Sequence, residues 1–493
     1  MKITSKILAL VLALLFILPL GACGDATGSD DTTVATTEAA AATIDFFAEG
    51  SDYKIIRPED MTGEELDAFK NFKNSINARI GFNLTLDTDW DNKTDFTGAH
   101  EILVGNTNRP ETAEALAKID GAGHIIAVIG GKLVVAATSA KSLTAAVAYF
   151  IDTYLGDDLK PFAEDFIVTG VEETQMTSLS INGVKIQEFS IVVSNVKKFD
   201  LPIYTLTRFI SRYSGISLSS FAESNTPGGH KIIIGGTKAD GSAYGTFETE
   251  IWYKDGDLHL GCASATMAQK TIYTLIDQYL SKLGNVEVTI PDDGSSQFFS
   301  DKADNWDDAD PKNFLSIQER IVRGCYKLQS ILEWDHSQGK YFTYENTGYK
   351  ATIAESRNAN RTTNCVIVGN WVMKDAGFYS EGIYNHKYDG TFGYSFSKGS
   401  ADFFSKYMTV IDVRSEKKSV QQMYKEGRLY PGDIIGFESH NQTILPHFNA
   451  FDGGRGDNTE GSTGSKFKRW VGANPYPSMT VGFIFRANDA VEE

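Results

Sequence analysis

Positive charge, cysteine and long apolar runs are all scarce in this chain, and each scarcity removes a class of function. Lys and Arg total 46 against 64 Asp and Glu, a formal net charge of −18 over 493 residues. Without a surplus of cations there is no stripe to displace counterions from a phosphate backbone, so nucleic acid is excluded as a partner. Of only 4 cysteines, Cys262, Cys325 and Cys365 lie far apart with no CxxC spacing. That pattern is neither a disulfide framework nor a zinc site, and one bridge would still leave a thiol over. "VIGGK" lacks the glycine spacing of a phosphate loop, and His100, His124, His230 and His259 have neither paired carboxylates nor partner histidines at ligand spacing. The sequence implies no metal and no cofactor.

The one long apolar run, "ILALVLALLFILPL" at residues 7–20, follows Lys2 and Lys6. It falls short of the roughly 20 residues that span a bilayer but suits a signal-peptide core. It ends in "LGAC", which resembles the lipobox of bacterial lipoproteins. That resemblance implies that residues 1–23 are a lipoprotein signal peptide, that Cys23 is lipidated, and that the mature chain is anchored on the extracellular face of the cell membrane. Residues 24–45, mostly small and polar, then read as a flexible tether.

Beyond the tether the chain repeats itself. "EILVGNT" (101–107) recurs as "KIIIGGT" (231–237), and "GGKLVVAATSAKSLTAAVAYFIDTYL" (130–155) as "DGDLHLGCASATMAQKTIYTLIDQYL" (255–280). Each copy opens with a strand, "YKIIRP" or "FSIVVS", and continues into an amphipathic helix such as "LPIYTLTRFISRYSGI". A hairpin turning at "GGK" or "DGD" and a final helix follow. The pattern predicts two tandem helix-on-sheet α+β domains, 46–170 and 171–295, with "NVEVTIP" as a closing strand. The repeat resembles the non-catalytic α+β domain that precedes the barrel in family 20 hexosaminidases, which implies spacer or binding modules rather than chemistry. Trp252 and Tyr253 are candidates to stack on a sugar, with core packing as the competing reading. Residues 296–312 read as a solvated acidic linker; a calcium loop there lacks the glycine and terminal Glu of an EF-hand.

The pattern changes at residue 313. A long helix, "FLSIQERIVRGCYKLQSILEW", carries Cys325 as a core thiol. In "TTNCVIVGNWVMKDAG" (362–377), Asn364 is an N-cap and Gly377 a C′ residue, which predicts a helix over 365–376 with Cys365 at its first position. The positive end of the helix favours a thiolate there, and its amides can hold an oxyanion. Downstream, "DIIGF" and a segment starting near His440 read as strands. An imidazole on a strand facing a helix-borne thiol is what a thiol hydrolase needs. Asp452, a neighbouring-strand carboxylate, can orient that ring; His447 is a rival base, Asn449 and Asp457 rival third members, and His336 and His386 candidates to rim the cleft.

These features resemble the NlpC/P60-like, papain-like cysteine hydrolases of bacterial cell walls, including CHAP-type amidases. The likeness rests on "TNCVIVGNWVMKDAG", on "L-x-PGDII-x-F", on His440 after it and on the terminal "MTVGFIFR". It implies that 313–493 is an α+β cysteine hydrolase domain with Cys365 as nucleophile, His440 as base and Asp452 as orienting residue. It further implies that peptidoglycan is the partner and one of its amide bonds the substrate. The flanks of Cys365 and His440 depart from the family pattern and motivate a second reading, a wall- or glycan-binding lipoprotein whose hydrolase domain is inactive. A solute-binding lipoprotein is disfavoured because two hinged βαβ lobes are not discernible.

Overall fold

The computed structural model describes residues 42–292 apart from 62, 92–93, 157–158 and 227. Beyond them it describes 298–300, 306, 315–345, 350, 352–376, 387–388, 391–392, 404–405, 408–437, 440–453, 466, 470–473 and 476–488. The signal segment, Cys23 and nearly all of the tether therefore lie outside the described residues. No described helix is long and apolar enough to cross a membrane. Residues Thr43–Glu493 form one compact unit of mixed α+β architecture.

Its first part is a six-stranded sheet made of β1 (Lys54–Arg57), β2 (Thr85–Thr88), β3 (Glu101–Val104), β4 (Gly123–Ile129), β5 (Lys132–Ala137) and β6 (Ile167–Val171). The order is β2-β1-β3-β5-β4-β6. The first four strands run parallel, and β4 is antiparallel to both β5 and β6. Helices cover both faces, so neighbours such as Ile55 and Ile56 are both buried. On one face lie α1 (Gly63–Ile80) and α3 (Ala140–Tyr154), which bury Phe69, Phe72, Ile76 and Phe150 against Ile55, Ile102 and Val135. Each such side chain stabilises the fold by about 1.5–3 kcal/mol. On the other face α2 (Pro110–Ala117), which opens on a proline suited to its first turn, packs Ala115 and Leu116 over Leu103 and Val134.

A second six-stranded sheet has the same order and the same directions. Its strands are β7 (Phe189–Val193), β8 (Ser220–Ala222), β9 (His230–Ile234), β10 (Glu248–Lys254), β11 (Asp257–Cys262) and β12 (Phe298–Ser300), arranged β8-β7-β9-β11-β10-β12. The helices α4 (Asp200–Ser214) and α5 (Ala265–Leu275) belong to this part. Both hairpins turn where the sequence places them. Gly130 and Gly131 have φ of 57° and 78°, and Asp255 and Gly256 have 53° and 90°, the left-handed pair that a two-residue hairpin requires. "NVEVTIP" does form a strand, Asn285–Val288, yet it pairs with Ser178–Ile181 in a separate three-stranded sheet, and β12 takes the sheet edge beside β10. Trp252 and Tyr253 are 6% and 9% exposed, and Trp252 stacks on His259 at 3.6 Å between ring centroids, so core packing is the reading that holds for this pair.

The C-terminal part contains α6 (Ile317–Ser337), started by a Ser316–Glu319 capping box, and α7 (Cys365–Asp375). Both pack near an antiparallel sheet of β13 (Met408–Asp412), β14 (Ile434–Gly436), β15 (Asn441–Leu445), β16 (Asn449–Phe451), β17 (Val471–Ala473) and β18 (Phe483–Ala487). The order is β13-β18-β14-β15-β16-β17. One hydrophobic cluster runs without a break from Ile251, Leu260 and Tyr273 of the second part to Tyr326, Trp371 and Trp470 of this one. Trp306 sits within it, 4% exposed, with its indole N–H donating to Ser330 Oγ at 2.9 Å. At that residue the acidic segment is therefore anchored in the core rather than solvated.

Candidate active site

The thiol of Cys365 owes its place to the start of α7. Asn364 is extended (φ −150°, ψ −176°), and its Oδ1 accepts the Ile367 amide at 3.0 Å, which fixes where the helix begins. The first amides of a helix have no intrahelical acceptor, so they are available to an anion beside the cysteine. Gly453 follows Asp452 and lies against this helix end. A Cβ there would come within 2.7 Å of Val368 Cβ and 3.2 Å of Asn364 O, so only glycine allows the carboxylate-bearing segment so close.

His440 immediately precedes β15, and Asp452 immediately follows β16. The antiparallel pairing of those strands brings the two residues side by side. His440 Nε2 lies 2.9 Å from Asp452 Oδ1, off the in-line hydrogen-bond direction, with Asp452 1% exposed. Phe437 stacks parallel to the imidazole at 6.1 Å, and Tyr476 leans on it at 5.4 Å. Burial favours the neutral ring, but Asp452 and Cys365, both paired with it, outweigh burial and hold the imidazole pKa up at about 10. The sequence-expected trio is thus one contiguous cluster.

The rival candidates lie elsewhere. His447 is 45% exposed at its side chain, 3.9 Å from Asp200 Oδ1 and edge-on to Tyr204 of α4. Asn449 donates its amide to the Pro446 and His447 carbonyls within its own turn. His336 packs on Tyr341, whereas Asp457, His386 and Gly377 lie outside the described residues. His100, expected to lack a carboxylate, meets Asp52 Oδ1 at 2.5 Å. The other two thiols are inert by environment. Burial pushes Cys262 up to about 12 and Cys325 well above the ordinary thiol value.

One residue escaped sequence reasoning. Gln442, 1% exposed on β15, donates Nε2 to Asp452 Oδ2 at 2.8 Å and accepts the Tyr476 amide on Oε1 at 3.1 Å. It fills the carboxylate oxygen that His440 leaves and fixes the segment carrying Tyr476. Its only signal in the sequence is a polar side chain two places after His440 in a strand otherwise bound for the core.

No protein-family model matches the chain, and no curated protein matches it. Neither the NlpC/P60-like nor the hexosaminidase-like resemblance therefore has a family match behind it. Among solved structures, one titled "Structure of CpGH84D", a glycoside hydrolase, aligns at a TM-score of 0.19 and 9% identity, over 61% of this chain and 47% of that one. The chain thus spans less than half of that structure's length, and likeness at this level carries no argument about activity.

Proposed function

We propose that this chain is a membrane-anchored extracellular cysteine hydrolase that cleaves an amide bond of peptidoglycan, either within the stem peptide or between peptide and sugar. The observation that carries the reading is one imidazole, His440, held between a thiol at a helix N-terminus and a buried carboxylate. In this reading residues 313–493 are a papain-like hydrolase domain, and 46–170 and 171–295 are tandem non-catalytic modules. Cys23 carries the lipid and 24–45 is the tether, which puts an enzyme with a polymeric substrate beneath the wall it cuts.

The Cys365 sulfur, having given its proton to His440, adds to the amide carbonyl carbon as the C=O electron pair moves to oxygen. The amides at the start of α7 stabilise that oxyanion. Collapse breaks the C–N bond, and the imidazolium hands its proton to the departing amine. Water then gives a proton to His440 and attacks the thioester, which frees the acid and restores the thiol. Asp452 holds the ring and its positive charge throughout, and Gln442 holds Asp452.

Cys365 is 5% exposed. That low exposure favours the second reading, a wall- or glycan-binding lipoprotein with an inactive hydrolase domain, in which the thiol alkylates no faster than a model cysteine. The decisive experiment is mass spectrometry of purified peptidoglycan digested with the compact unit Thr43–Glu493, beside Cys365→Ala and His440→Ala. New fragments absent from both variants establish the hydrolase and identify the bond by mass. A wild-type protein that pellets with the wall yet releases nothing decides for the binding reading.

A further inference from the structure

We propose that a pocket in the first sheet, beside Trp90, is a saccharide-binding site. On the face that α2 occupies, the helix packs over the β3, β4 and β5 side of the sheet. Lys54 of β1 and Asp87 of β2 are left lining a pocket of about 460 Å³ beside the buried Ile56, with Trp90, Asp91, Phe96 and His100 around it. That volume lies in the range of small-molecule sites. The Trp90 side chain is 64% exposed, unlike Trp252, Trp306, Trp371 and Trp470, all of which are buried.

The wall that carries Trp90 is built from beneath. Arg109 is 4% exposed and donates Nη1 to the Asp91 carbonyl at 3.0 Å, while Nε and Nη2 each reach Glu101 at 3.2 Å. Its guanidinium also lies 3.7 Å from the Phe96 ring centroid. Glu101 is in turn met by the fully buried Lys132 at 2.9 Å. On the other side of Trp90, Asp89 accepts the Glu59 and Asn108 amides at 2.9 and 2.7 Å. The residues on either side of Trp90 are thereby fixed, so the backbone that carries the exposed indole is set before any ligand arrives.

One aromatic face set among carboxylates and a few cations matches a neutral sugar ring. The C–H face of the sugar packs on the indole, its hydroxyls donate to Asp87 and Asp91, and Lys54 donates to its oxygens. A quaternary ammonium ligand needs several aromatic faces around the charge, and Phe96 already gives one of its faces to Arg109. The carboxylates repel a phosphate. The site is argued from the pocket; only the choice of an N-acetylglucosamine probe rests on the peptidoglycan reading.

The test is calorimetric titration of Thr43–Glu493 carrying Cys365→Ala, so that nothing is turned over. The probes are peptide-free peptidoglycan glycan strands, N-acetylglucosamine oligomers, a maltooligosaccharide and choline. Binding of any of the saccharides that Trp90→Ala weakens by at least about tenfold, with unchanged melting temperature, supports the site; Asp87→Asn should weaken it as well. No saccharide binding, equal binding by Trp90→Ala, or binding of choline alone overturns the proposal. Because the digest reports on Cys365 and the titration on Trp90, cleavage without Trp90-dependent binding removes this site and leaves the hydrolase reading standing.

Discussion

At the scale of single residues the central quantity is the proton on His440. Its folded-state pKa, held up near 10 by Asp452 and Cys365 against the pull of burial, exceeds the roughly 6.5 of a free imidazole. The sign follows by linkage: the proton's contribution to stability is complete below about pH 6.5 and is lost as pH rises through about 10. In the proposed mechanism the same proton serves the leaving amine, so hydrolysis should decline as pH climbs through that value. Nitrogen chemical shifts of the ring should report a doubly protonated imidazole at about pH 8 that converts near 10, and the conversion should move down in Cys365→Ala, which removes one of its two partners. A ring that titrates near 6.5 in both proteins would mean that sulfur and carboxylate do not act on it.

At the scale of elements, the "PGDII" and "MTVGFIFR" segments turn out to share one buried ion pair. Arg486 of β18 meets Asp433, which directly precedes β14, at 2.9 and 2.6 Å through Nε and Nη2, and Gln318 of α6 donates to the same carboxylate at 3.0 Å. Asp433 is fully buried. Removing Arg486 strands the fully buried carboxylate, so Arg486→Met should cost about 3–5 kcal/mol in urea unfolding, whereas combining it with Asp433→Leu should recover much of it. Equal losses in the single and double variants would contradict this account.

The same elements separate what the sequence discloses from what it hides. The start of α7, both hairpins and the long helix α6 were legible because caps, left-handed turn pairs and apolar spacing act within a few residues. Cys365, His440 and Asp452 were singled out by residue type and flanking pattern, and the structure brings them into one cluster. The seat of Asn285–Val288 was not, since choosing between Ser178–Ile181 and β10 as its neighbour depends on pairings more than 30 residues away in sequence. The role of Gln442 was hidden for a related reason: its partners Asp452 and Tyr476 are joined to it only once three strands are stacked.

At the scale of the whole molecule, the buried surface does not follow the sequence boundary at residue 313. Ile321, Val322, Cys325 and Tyr326 on α6 belong to one cluster with Ile272, Tyr273 and Ile276 from the second sheet's final helical stretch. Arg323 adds an ion pair to Asp277 at 3.0 Å. Opening that contact re-exposes several side chains worth about 1.5–3 kcal/mol each, a total comparable with the roughly 5–15 kcal/mol that holds a whole domain folded. Residues 313–493 expressed alone should therefore lack a cooperative thermal transition, while 171–493 should melt as one unit. The first sheet has its own clusters, centred on Phe72 and Phe150 on one face and on Leu103 on the other, so removing it should leave that transition in place. A sharp melt from 313–493 alone would show that the C-terminal part is stable without the sheet it leans on.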